Sequence, residues 1–161
     1  FGWDFEKLEK EKKIDIISIP VKELKERTIT ELFDFIKENN IKRLVIDSLS
    51  ALAINIPSTY TDITNINDFF IKRFIYNFIN DINELQNIVT LLITQTTEGQ
   101  LSRDGVSEFA CDGLILINYE GIGGEYSRHL SIRKMRETKN DEDIHPLEIS
   151  SKGIVIHTYK E

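Results

Sequence analysis

Residues 42–54, KRLVIDSLSALAI, pass from a basic pair through Leu44, Val45 and Ile46 to Asp47 and Ser48, after which apolar residues resume. A short run that is nearly continuous in aliphatic residues predicts a strand buried on both faces, as in a parallel sheet. A strand over 42–47 is therefore expected. In open sheets of this kind, ligands gather outside the C-terminal ends of the strands. Asp47 and Ser48 stand at such an end.

The flanking segments read as the crossovers that parallel strands require. Thr28 with Glu31 matches a capping box that opens a helix over 28–39. Ile29, Leu32, Phe33 and Ile36 share one face of it, and Asn39–Asn40 suits its stop. Ile71, Phe74, Ile75, Phe78, Ile82 and Leu85 recur at helical spacing and predict a long helix over 67–86. After it, NIVTLLITQ (87–95) reads as a second buried strand with a polar end, Thr94–Gln95. Upstream, IDIISI (14–19) has the β-branched enrichment of a strand and stops at Pro20. Strand and helix in alternation predict an α/β fold, a mostly parallel sheet flanked by helices with right-handed crossovers.

Beyond residue 95 the pattern changes. A polar loop with Gly99 and Gly105 leads to GLILINYE (113–120), a Gly-rich turn GIGGEYS (121–127) and the alternating RHLSIRKMR (128–136). Two short strands near 146–149 and 153–158 flank a tight turn at Ser151–Lys152–Gly153. This third of the chain reads as an antiparallel extension of the sheet.

At 161 residues the chain suits one domain with a sizeable core. It opens on Phe1 in mid-pattern, so 1–161 reads as a partial domain cut from a longer protein. No apolar run reaches the length of a membrane span and no leader pattern is present, so a cytoplasmic protein is expected. Cys111 is the single cysteine, and His129, His145 and His157 lack metal-ligand spacing. The net charge of −7 disfavours broad contact with nucleic-acid phosphates without excluding a local basic patch.

Three groups of residues can carry chemistry. An apolar strand ending in a carboxylate has the form of a Walker B element, in which Asp47 holds magnesium directly or through its waters and Ser48 lies beside the nucleotide. The competing reading makes Asp47 the cap of the next segment. Gln95 ends the second strand, where a side-chain amide can sense a terminal phosphate or orient a water, or simply form a turn. Lys134 and Arg136 are two residues apart and would project from one strand face with Met135 on the other, as a phosphate clamp or as a solvated face. No Gly-x-Ser-x-Gly elbow is present, and Asp141 and Asp143 sit in a charged turn.

Taken in order, FGWDFEKLEKEKKI, KRLVIDSLSAL, VTLLITQ, LSRDGVSEFACDGLILINYEG and RHLSIRKMRETKNDEDIHPLEISSKGIVI resemble the KaiC-like branch of the RecA-type P-loop ATPases. The resemblance implies a RecA-like fold, ATP and Mg2+ as cofactors, nucleotide sites at subunit boundaries and a homo-oligomeric ring, usually a hexamer, that changes its binding of a protein partner. Asp47 matches the Walker B carboxylate, and Lys134, Met135, Arg136 and Thr138 match a segment that reaches the neighbouring subunit's nucleotide. In the family the phosphate-binding loop and two catalytic glutamates precede the region resembling Phe1, so an incomplete sheet with an exposed edge is expected. Glu137 and Asn140 stand where the family often has Gly and His. The clock protein's phospho-acceptor pair falls on Glu108 and Phe109, neither of which carries a hydroxyl.

Two alternatives differ in class. A RecA-type DNA-binding or recombination protein would use the loop Thr96–Cys111, which carries one Arg against Glu98, Asp104 and Glu108. A non-catalytic assembly module would keep the fold and lack hydrolysis.

Overall fold

The computed structural model describes residues 1–54, 64–120 and 127–158. In chain order its elements are α1 (Phe5–Lys10), a 3-10 turn (Val21–Glu23), α2 (Glu26–Glu38), β1 (Arg43–Asp47), α3 (Leu49–Ile54), α4 (Thr64–Glu84), β2 (Val89–Ile93), α5 (Ser107–Ala110), β3 (Gly113–Tyr119), β4 (Arg128–Met135), β5 (His145–Ser150) and β6 (Gly153–Ile156). They form two compact units, one of Ser18–Cys111 and one of Phe1–Ile17 with Asp112–Glu161.

In the first unit β1 and β2 pair in parallel from Arg43↔Val89 to Asp47↔Ile93. Helix α2 starts at Glu26, earlier than the Thr28 signal implies. Thr28 is instead the third helical residue, and its Oγ1 accepts the Lys25 N–H at 3.2 Å. The helix stops as Asn39–Asn40 predicts. Asn40 takes φ 51°, and Ile41 N–H returns to the Ile36 carbonyl at 3.0 Å while Asn40 N–H returns to Lys37 at 3.2 Å. This is a Schellman close, which asparagine tolerates better than most residues.

The core of this unit is Leu49, Ile75, Phe78, Ile79 and Ile82, with Ile29, Phe33, Ile46 and Leu92 packed against it. Phe78 is 2% exposed and stacks with Phe33 and Phe74 at ring-centroid distances of 5.8 and 6.1 Å. The helical stripe read from the sequence over 67–86 is thus the face of α4 that closes the core.

Two expectations are corrected. Strands β1 and β2 are not buried on both faces: Leu44, Ile46, Thr90 and Leu92 are partly buried, but Val45 and Leu91 remain 59% and 57% exposed, and Val89 and Ile93 are exposed beside them. The described helices pack on one side only, and the period of two in a strand sends alternate side chains to the open side. Residues 14–19 form no strand. Ile16 and Ile17 are exposed, and Ile16 N–H donates to Glu9 Oε1 at 3.3 Å rather than to a ladder. β-Branched propensity favours extended backbone, but a strand exists only where a neighbour supplies hydrogen bonds.

In the second unit β3, β4, β5 and β6 form an antiparallel sheet in sequence order. The β3–β4 ladder shifts register between Leu114 and Ile115. Gly113 lies close to Met135 there: a Cβ at that position would stand 3.0 Å from Met135 Sδ, so the methionine side chain would have to shift. Ser150↔Gly153 closes the β5–β6 hairpin around Ser151–Lys152, with Gly153 at φ 133°. The Gly-rich turn expected at 121–127 lies, apart from Ser127, outside the described residues.

Removing a packed ring and removing an open-face side chain should differ sharply. Phe78→Ala is expected to cost about 3–5 kcal/mol, and Leu91→Ala about 0.5 kcal/mol or less. Urea unfolding followed by far-UV circular dichroism measures both, and comparable losses would mean that Leu91 is buried in solution.

Candidate functional site

The parallel register brings two of the sequence candidates to one edge. Asp47 pairs opposite Ile93, so Ser48, Thr94 and Gln95 leave the sheet at the same C-terminal end. Ser50 Oγ and Thr94 Oγ1 lie 3.4 Å apart and tie the segments that follow the two strands.

The capping role proposed for Asp47 belongs to its neighbour. Ser48 Oγ accepts the Ala51 N–H at 3.3 Å, and the Ser48 carbonyl accepts the same N–H at 3.0 Å and that of Leu52 at 3.4 Å. Serine at a helix N-cap satisfies donors that have no partner inside the helix. The Asp47 side chain is exposed, and its carboxylate makes no hydrogen bond or ion pair with the described residues. The Asp47–Ser48 peptide is cis. With both oxygens uncommitted, the carboxylate suits one position in the oxygen shell of a magnesium ion whose other ligands are water and phosphate. Among the described residues no cluster of three His, Cys, Asp or Glu could hold a metal alone.

Gln95 is exposed, and its carbonyl accepts the Arg103 N–H at 2.9 Å. The loop after it is more ordered than its polar composition suggests. Ser102 and Ser107 are buried, and Asp104 caps α5 by accepting the N–H groups of Val106 and Ser107 at 2.9 and 2.7 Å and the Ser107 hydroxyl at 3.0 Å. Sequence reasoning missed Ser50, Ser102 and Asp104. The Asp104–Gly105 turn signal was the only local trace of them.

Lys134, Met135, Arg136 and Thr138 lie in the other unit. Lys134 and Met135 are partly buried in β4, opposite Leu114 and Gly113. The strand ends at Met135, so Arg136 opens a turn instead of continuing the face of Lys134. Its N–H donates to the Asp112 carbonyl at 2.9 Å, and its Nη1 meets Asp112 Oδ1 at 3.3 Å. Glu137 follows at φ 57°, and Thr138 is exposed. The backbone bond fixes where Arg136 emerges. The guanidinium–carboxylate pair is exposed on both sides, a setting in which such pairs contribute about 1 kcal/mol or less.

The first unit has the parallel form, and the second the antiparallel form, that the resemblance to RecA-type ATPases implies. The family described as "ATPase: KaiC" matches residues 1–161, and the chain belongs to it. A UPF0273 protein of Thermotoga maritima is 31% identical over 175 residues, covering 98% of this chain and 67% of its own. One from Pyrococcus furiosus is 28% identical over 177 residues, with 99% and 67% covered. The crystal structure of a KaiC-like protein from Pyrococcus horikoshii superposes with a TM-score of 0.69 at 32% identity, covering 98% of this chain and 66% of that one. The chain thus spans about two thirds of the length of these relatives. No described helix is long and apolar enough to cross a membrane.

The assignment of the cap can be measured. Ser48→Ala is expected to lower stability by about 1 kcal/mol, and Asp47→Ala to leave it within about 0.5 kcal/mol, by the same urea titration. A larger loss for Asp47→Ala would return the capping role to the carboxylate.

Proposed function

We propose that this chain is the Walker B-containing part of a KaiC-like ATPase that binds and hydrolyses ATP at subunit interfaces and uses the cycle to regulate binding of a protein partner. The observation that carries the reading is Asp47: an exposed carboxylate at the end of a parallel strand whose capping duty is discharged by Ser48. A carboxylate with no structural work at the ligand-binding end of a sheet is a candidate for metal-nucleotide chemistry.

In this proposal Asp47 holds Mg2+, with Ser48 beside it, and the Gln95 amide orients the water that attacks the terminal phosphorus of ATP. Magnesium supplies charge neutralisation on the phosphate oxygens when bound. Lys134 and Arg136, with Met135 and Thr138 around them, contact the nucleotide of the adjacent subunit in a cytoplasmic homo-oligomeric ring, a hexamer by family resemblance. The exposed Asp112 partner of Arg136 is weak enough for a phosphate to displace. Residues 1–161 act as a single partial domain that works with a phosphate-cradling loop outside them, and they span 67% and 66% of the length of two relatives. The open face of Val45, Val89, Leu91 and Ile93 supports this, since a parallel pair is normally covered on both sides. The acidic composition and the internally bonded loop Thr96–Cys111 favour an ATPase over a DNA-strand-contacting protein.

Residues 1–161 alone are expected to bind ATP weakly, because most phosphate affinity in this class resides in the loop and its Lys. Tight binding by calorimetry would contradict this. In the full-length protein Asp47→Ala is expected to abolish hydrolysis with the fold intact, and Arg136→Ala to lower turnover by about 10³. Mixing these two full-length variants should restore activity at interfaces where an intact Asp47 faces an intact Arg136. Mixed rings, confirmed by mass, that stay inactive would exclude action in trans.

A further inference from the structure

Resting on the assignment of Gln95 above, we infer that Ser102 and Glu108 are positioning residues that hold Gln95 at the Asp47 edge. The chain leaves β2 after Ile93, and the segment carrying Gln95 is fastened twice before α5 begins. The Ser50–Thr94 hydroxyl contact holds the residue before Gln95, and the Arg103 N–H bond holds the Gln95 carbonyl. Arg103 is itself flanked by the most deeply fastened residue of the loop. Ser102 is 1% exposed, and its hydroxyl donates to Glu108 Oε2 and accepts the Gly105 N–H at 3.0 Å. Asp104, on the other side of Arg103, is engaged with Val106 and Ser107.

A hydroxyl that both donates and accepts in a buried position is costly to remove, because the groups it joins are left unsatisfied. Glu108 thus takes part in a chain, Glu108 to Ser102 to Arg103 to Gln95, in which each link is a hydrogen bond or an adjacent peptide. A side chain asked to orient a water gains from such support, since a displacement of about 1 Å can cost up to about 10² in rate. Gly105 closes the loop at φ 65°, a conformation that glycine adopts without steric cost, with open space on the side where a Cβ would project until Lys72 Cε at 3.9 Å.

The test uses the full-length protein and two independent readouts. In steady-state hydrolysis, Glu108→Leu is expected to lower kcat about tenfold with KM for ATP unchanged. Glu108→Gln keeps an acceptor for the Ser102 hydroxyl and is expected to stay within about twofold of the parent. The double variant Gln95→Ala with Glu108→Leu is expected to match Gln95→Ala alone, because a residue acting through Gln95 has nothing left to position. Multiplicative losses in the double variant, an unchanged kcat in Glu108→Leu, or an unchanged kcat in Gln95→Ala would each overturn the inference. In nucleotide-free protein, Glu108→Leu should raise amide exchange at Arg103 about tenfold while β1 and α4 amides keep their protection. Undiminished protection at Arg103 would also overturn it. If Glu108→Leu does not fold, Ser102→Ala removes the same link and is judged by the same outcomes. A parent that hydrolyses no ATP refutes the function proposed above and the positioning role with it, whereas increased exchange at Arg103 in that case would still establish the fastening.

Discussion

Five residues of parallel ladder between β1 and β2 are the constraint on which the candidate site depends. Parallel pairing forces both strands to end on the same side, so Asp47 and Gln95, 48 positions apart in the chain, are delivered to one edge. The same ladder sets which side chains turn inward. With a period of two, Leu44, Ile46, Thr90 and Leu92 face the helices, and Val45, Asp47, Val89, Leu91 and Ile93 face away. The site carboxylate therefore shares its face with four exposed aliphatic side chains.

Packing stabilises this arrangement from one side. Helix α4 lays Ile75, Phe78, Ile79 and Ile82 against Leu49 and the inward residues of the strands, and the Phe33–Phe78–Phe74 stack joins α2 to α4. Aromatic pairs at these separations contribute beyond their buried area. Leu49 is fully buried immediately after Ser48, which anchors the chain where it turns from strand to helix. Ser48 can then serve as the cap while Asp47, one residue earlier, is left facing solvent. Adjacent polar residues have separate tasks because Asp47 ends the strand and Ser48 opens the helix.

The antiparallel unit uses a different logic. Its sheet is built from sequential hairpins, so its register follows from turns and from one tight approach, Gly113 against Met135. The end of β4 is where its candidate chemistry sits, and Arg136 is fixed there by its backbone bond to Asp112 while its side chain stays exposed. Membership of the KaiC family and the likeness to the Pyrococcus horikoshii structure extend over both units, from the aromatic N-terminus to β6.

Much of this was legible in the residues alone. The aliphatic run into Asp47, the helical stripe on α4, the Asn39–Asn40 stop and the Ser151–Lys152 turn all have local causes: burial patterns, left-handed tolerance and hairpin geometry. The readings that failed are those that depended on a neighbour. Residues 14–19 have strand composition but no partner ladder, Val45 and Leu91 have core composition but no cover, and Arg136 lies past the end of β4, where the backbone turns. The order and type of α2, β1, α4, β2 and the strands β3 to β6 were determined by the sequence itself, through side-chain periodicity and capping chemistry. That Ser48 rather than Asp47 caps α3, and that Ser102 fastens the loop beside Gln95, were decided only by tertiary structure, because hydrogen-bond partners are assigned by distances in space that spacing along the chain does not encode.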